Sequence, residues 1–151
     1  MKSGCIFIYN HLINDEYYTL PNHFQITLDS HYLSTLIYER YGDQALRVVR
    51  IGKAEEYAHQ NYYDRLGFID VYTKDSDEYL ETDEGKQERH ASFFNKISNT
   101  LASGKNLIIS PEGSSYATEQ SPGVFKSGIF KVIQKMEDEP LIVPIVMVNF
   151  D

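Results

Sequence analysis

Apolar residues along this chain gather in short unbroken runs, separated by stretches whose apolar positions recur at helical spacing. Cys5 to Tyr9 is the first run and stops at Asn10-His11; Leu46 to Ile51, Phe68 to Tyr72, Asn106 to Ser110 and Leu141 to Asn149 follow it. Runs of this length bounded by polar or turn residues predict strands. Between them, Asp29-Ser30 offers a helix cap ahead of Leu33, Leu36, Ile37 and Arg40, and Gly42 follows Tyr41 as a stop. Further helices are predicted over Glu55 to Leu66, over Glu88 to Ser103 with Phe93, Phe94, Ile97 and Leu101 on one face, and over Phe125 to Met136. Leu12 to Leu28 is polar and aromatic, is broken by Pro21, and has room for one helical turn at Asp15 to Leu20. Lys74 to Lys86 and Ser114 to Gly123 read as exposed loops.

Strands written as continuous apolar runs, rather than in alternation, are buried on both faces. Alternating with helices, they predict an α/β fold: a mixed, mostly parallel sheet with helices on both faces. There is no internal repeat and no low-complexity tract, so residues 1–151 are expected to form a single domain. The abrupt start and finish suggest a fragment of something longer.

Composition narrows the partners. Apolar residues make up 42% of the chain and charged residues 24%, which is ordinary globular usage. A formal net charge of −8 repels phosphate backbones, so nucleic acid is not an expected partner. The one cysteine, Cys5, lies in an apolar run and reads as a buried thiol in a reducing, intracellular compartment. No segment approaches the ~20 apolar residues of a membrane span. The longest apolar run, Leu141 to Val148, is interrupted by Pro144, and Met1-Lys2-Ser3-Gly4 leads straight into a strand without a signal peptide. Histidines, cysteine and carboxylates are not clustered at zinc-ligand spacing, so no metal is expected. Ser114 lacks the surroundings of a hydrolase nucleophile elbow. His31, His59 and His90 read as surface or core residues, and the tyrosine pairs at 17/18 and 62/63 as packing.

Two features close strands, where sites in α/β sheets collect. Asn10-His11 closes the first strand and Pro111-Glu112-Gly113 the fourth. A strand-end histidine can act as a general base near neutral pH, best when a carboxylate holds its other ring nitrogen. Asp15, four residues on, reaches His11 if the chain turns helically there and is the preferred partner; Asp29, at the start of the first long helix, is the second candidate. Taken singly, each feature is ordinary: strand-end histidines are mostly structural, and an aspartate opening a helix is mostly a cap.

The order of the parts is more specific. Ile8-Tyr9-Asn10-His11, Gly67-Phe68-Ile69-Asp70-Val71, Ile109-Ser110-Pro111-Glu112-Gly113-Ser114, Phe125-Lys126-Ser127-Gly128 and Ile142-Val143-Pro144-Ile145 follow one another over nearly the whole chain. In that order they resemble the blocks of the glycerolipid and lysophospholipid acyltransferase superfamily, of the 1-acylglycerol-3-phosphate acyltransferase kind. The resemblance implies transfer of a fatty acyl group from acyl-CoA or acyl carrier protein to a lipid hydroxyl. It implies His11 as base with its aspartate, and Glu112, Gly113, Ser114 and Lys126 about the substrates. It implies no cofactor beyond the acyl thioester co-substrate, and a cytoplasmic protein held peripherally at a membrane. A non-catalytic lipid- or acyl-binding member of the same fold is the alternative.

The chain also departs from the family pattern. The family's aspartate falls five residues after its histidine, where this chain has Glu16; His23 has Asp29 six residues on but no strand before it. Leu12 to Ile26 therefore reads as an inserted or remodelled stretch. The family's two arginines, suited to gripping a phosphate as bidentate forks, are missing: the positions fall at Val71 or Thr73 and at Ser115. Lys74, Lys53, Arg65 and Lys126 replace them only in part, which weakens the expectation of a glycerol phosphate acceptor.

Overall fold

The structure is a computed structural model and describes residues 3–13, 28–51, 57–72 and 82–148. Five strands are present: β1 (Ile6–Tyr9), β2 (Leu46–Arg50), β3 (Ile69–Val71), β4 (Leu107–Ile109) and β5 (Ile142–Ile145). Four helices alternate with them: α1 (Leu28–Tyr41), α2 (Tyr57–Arg65), α3 (Asp83–Ala102) and α4 (Gly128–Ile133). The strands form one sheet in the order β3-β2-β4-β1-β5. Every pairing among them is parallel, a stricter arrangement than the mixed sheet expected.

The unbroken apolar runs are explained by burial on both faces. Ile6 and Ile8 of β1, with Leu107 and Ile109 of β4, pack against Ile97 and Leu101 of α3 and Ile129, Val132 and Ile133 of α4. The alternate residues, Phe7 and Tyr9 of β1 and Ile108 of β4, pack on the other face against Leu33 and Ile37 of α1. α1 buries a narrower face than expected, because Leu36 is exposed.

Two helix boundaries differ from the sequence expectation. α3 begins at Asp83, inside the stretch read as a loop, and Thr82 caps it by accepting a hydrogen bond from the Gly85 N–H at 3.2 Å. That cap, with Asp83 and Glu84 in the first turn, outweighs the interruption by Gly85. α4 is shorter than the Phe125 to Met136 expected, because Val124 to Ser127 runs as a non-helical approach to Gly128.

β5 forms one edge of the sheet, with Pro144 in register with Ile8. The Ile6 N–H donates to the Leu141 carbonyl at 2.9 Å, so Leu141, Val143 and Ile145 turn their backbone groups toward β1. Ile142 and Pro144 turn theirs outward.

Candidate active site

The carboxyl ends of β1 and β4 are neighbours because the two strands pair directly, Ile8 opposite Ile109. His11 and Glu112 follow those ends, so one parallel pairing brings two distant segments to one edge. The His11 backbone N–H donates to Glu112 Oε2 at 2.5 Å.

Glu112, expected about the substrates, is 0% exposed. Besides the His11 N–H, its carboxylate accepts the Gly123 N–H at 2.5 Å and the Ser110 hydroxyl at 3.0 Å. Three segments thus converge on one buried side chain: the end of β1, the turn after β4 and the loop returning toward α4. The same loop is also tied to β1 through its backbone. The Tyr116 N–H donates to the His11 carbonyl at 2.9 Å, and the Ile13 N–H donates to the Tyr116 carbonyl at 3.0 Å. A β-carbon on Gly123 would come within 2.5 Å of the Tyr116 ring, so only glycine permits this approach.

Asn10 performs the matching task toward β5. Its amide donates to the Met147 carbonyl at 2.9 Å and to the Ser121 hydroxyl at 2.8 Å, and its carbonyl accepts the Met147 N–H at 2.7 Å. The Asn-His pair therefore divides its work. Asn10 is buried and fastens neighbouring backbone, while the His11 side chain is 21% exposed.

Asp29 holds the His11 ring. Its Oδ2 lies 2.5 Å from His11 Nδ1 and accepts the Leu12 N–H at 3.0 Å, and its Oδ1 accepts the Ser30 N–H at 2.5 Å. Asp29 is 0% exposed and sits in the first turn of α1, where the helix dipole favours a carboxylate. Asp15, the partner preferred from the sequence, lies outside the described residues, as does Glu16.

The remaining candidates lie in the turn after β4 and on the approach to α4. Gly113 has φ +67, and a β-carbon there would meet Lys126 Nζ at 2.7 Å. The exposed Lys126 side chain therefore lies across the Gly113 backbone, anchored by its own N–H donating to the Pro111 carbonyl at 2.8 Å. Ser114 turns its hydroxyl back onto the Gly113 carbonyl at 2.9 Å. Val71 ends β3 and Ser115 is half-buried beside Gly113 and Ser114, while Thr73 and Lys74 fall outside the described residues.

Sequence reasoning gave Arg47 no role and read Ser30 only, with Asp29, as a helix cap. Arg47 is buried in β2, bonds the Ser30 hydroxyl, and lies 5.3 Å from the centre of the Phe68 ring. Its signal was visible, since it is a cation set directly before Val48-Val49 in an apolar run. Tyr9, 5.9 Å from the His11 ring, is also buried. Burial, and then the charge of Asp29, push its hydroxyl well above the usual tyrosine range. No group of three or more histidines, cysteines or carboxylates suited to a metal occurs among the described residues.

This arrangement can take up a proton at a histidine whose other nitrogen is fixed by a buried carboxylate, the pairing that orients a general base. The family model described as Acyltransferase matches residues 2–148. No curated protein and no solved structure matches the chain. A match over nearly the whole length, on a parallel α/β domain with the Asn-His and Pro-Glu-Gly turns at one sheet edge, settles the family: the chain belongs to the glycerolipid and lysophospholipid acyltransferases.

Proposed function

We propose that this chain transfers a fatty acyl group from a thioester, acyl-CoA or acyl carrier protein, to the hydroxyl of a lysolipid or glycerolipid, with His11 as general base. The observation that carries this reading is the 2.5 Å contact between His11 Nδ1 and the buried Asp29. With Nδ1–H donating to the carboxylate, the ring presents Nε2 as an acceptor. His11 removes the acceptor's proton as the hydroxyl oxygen attacks the acyl carbonyl. The tetrahedral intermediate then expels a thiolate, whose conjugate acid has a pKa of about 8.5, so departure needs no second acid. Asp29 fixes the tautomer and stabilises the imidazolium formed during attack.

Glu112 and Asn10 keep this edge in shape, and Gly113 with Lys126 forms part of the rim that receives the substrates. Lys126 offers a mobile ammonium to an anionic part of donor or acceptor. The lipid substrates place the reaction at a membrane, with the chain docking peripherally from the cytoplasmic side. No helix among the described residues is long and apolar enough to cross a bilayer.

The experiment is an assay of labelled acyl-CoA and acyl carrier protein against a panel of lysolipids and glycerolipids. Product formation that disappears in His11→Ala supports the proposal. Tight lipid binding without product across both donors would favour the second reading, a non-catalytic acyl- or lipid-binding member. The altered spacing of histidine and aspartate, and the absence of arginine at Val71 or Thr73 and at Ser115, are the observations that favour that alternative.

A further inference from the structure

Arg47 is a cation within an inner strand and is 6% exposed. Its guanidinium donates to the Ser30 hydroxyl, and the Ser30 N–H donates to Asp29 Oδ1 at 2.5 Å. Asp29 Oδ2 in turn meets His11 Nδ1. A chain of contacts thus runs from the middle of the sheet to the candidate base. A lone buried carboxylate or guanidinium is strongly unfavourable; here Ser30 lies between the two, its hydroxyl on Arg47 and its N–H on Asp29.

The consequence for His11 follows from charge. A carboxylate against an imidazole favours its protonated form, and a protonated ring has no lone pair with which to take a proton. A cation behind that carboxylate acts in the opposite sense. Among the described residues, the other titratable groups around the pair do not supply one. Tyr9 from β1 is kept neutral by burial, Tyr63 from α2 is a phenol, and Glu112 beyond β4 is a carboxyl group that takes the His11 N–H. Of these groups Arg47 alone is positive.

We propose that Arg47 is a positioning residue for the His11–Asp29 pair: held to the start of α1 through Ser30, it fixes the Asp29 carboxylate and offsets its charge, so that the carboxylate holds the His11 ring with Nε2 open to the acceptor. The proposal deepens, and rests on, the reading of His11 as general base.

The test follows the His11 imidazole by NMR as a function of pH, and kcat/KM over the same range, in the native chain, Arg47→Gln, Arg47→Lys and Ser30→Ala. Circular dichroism and a thermal melt establish that each is folded. Arg47→Gln is expected to move the His11 midpoint and the acid limb of kcat/KM upward by about one pH unit, tenfold in proton affinity. Ser30→Ala is expected to move both in the same direction by less, and Arg47→Lys to stay near the native values. A midpoint unmoved or lowered in folded Arg47→Gln overturns the proposal, as does Arg47→Lys displaced as far as the glutamine variant. If Arg47→Gln does not fold, Ser30→Ala decides by the same criterion. The imidazole titration is independent of turnover. A shifted midpoint in a chain that transfers no acyl group would therefore sink the assigned reaction and leave the Arg47 link standing.

Discussion

His11 Nδ1 and Asp29 Oδ2 meet at 2.5 Å across a separation of eighteen residues. Sequence spacing alone favoured Asp15. The contact depends on α1 starting where it does, with Asp29 in its first turn beneath the end of β1. The intervening residues can therefore differ in length from the family pattern without separating His11 from its carboxylate.

The two aspartates are expected to behave differently. Asp29→Asn should lower kcat by about 10²–10⁴, the usual range for disabling general-base catalysis, because the amide no longer stabilises the imidazolium. Asp15→Asn should leave the rate within a few-fold. Steady-state kinetics of both variants check this, and the reverse ranking would return the role to Asp15.

Glu112 should govern stability more than substrate affinity. Glu112→Leu leaves the His11 N–H, the Gly123 N–H and the Ser110 hydroxyl without their acceptor. At ~1–3 kcal/mol for each unsatisfied group, a loss of at least about 3 kcal/mol is expected in urea denaturation. Glu112→Gln keeps one acceptor oxygen and should lose less. A leucine variant as stable as the native chain would contradict the structure directly.

Tyr9 makes a prediction at alkaline pH. Its hydroxyl is pushed above the usual tyrosine range by burial and by Asp29, so the folded chain keeps this proton when the unfolded chain has released it. The corresponding stability is fully present below about pH 10, the unfolded tyrosine value, and is lost as pH rises beyond it. Tyr9→Phe should therefore unfold less steeply with pH above about 10 than the native chain. Denaturant midpoints from pH 8 to 11 measure the difference, and parallel curves would count against a buried Tyr9 hydroxyl.

The acceptor can be tested by comparing matched lipids with and without a terminal phosphate monoester. A charged hydrogen bond contributes roughly 1.5–3 kcal/mol, and the forked arginines are replaced by residues such as Ser115. The expected preference in kcat/KM for the phosphorylated acceptor is below about a hundredfold, or ~2.7 kcal/mol. A larger preference would point first to Lys126, whose side chain crosses Gly113.

The sheet was legible because burial on both faces leaves an unbroken apolar signature: Ile6-Phe7-Ile8 and Leu107-Ile108-Ile109 hide alternate side chains under opposite helices. His11 and Glu112 were legible because parallel strands collect their following turns at one edge. Neighbour spacing ranked Asp29 only second, because its contact is set by where a helix docks. The Ser30–Arg47 link was hidden for the same reason, although a cation amid valines marked the strand as unusual. The early start of α3 was missed because Gly85 masked a cap that forms one residue ahead of Asp83.

Pro144 carries a consequence for the fate of the chain among its own copies. Its nitrogen faces outward on the rim strand of the sheet, where an incoming strand would need a donor. Val146, 75% exposed, and Val148, 68% exposed, make that rim apolar enough to attract one. The missing N–H interrupts the ladder that would otherwise zip two molecules together. Pro144→Val should let the rim recruit further strands, so concentrated solutions of that variant should form thioflavin-positive aggregates sooner than the native chain.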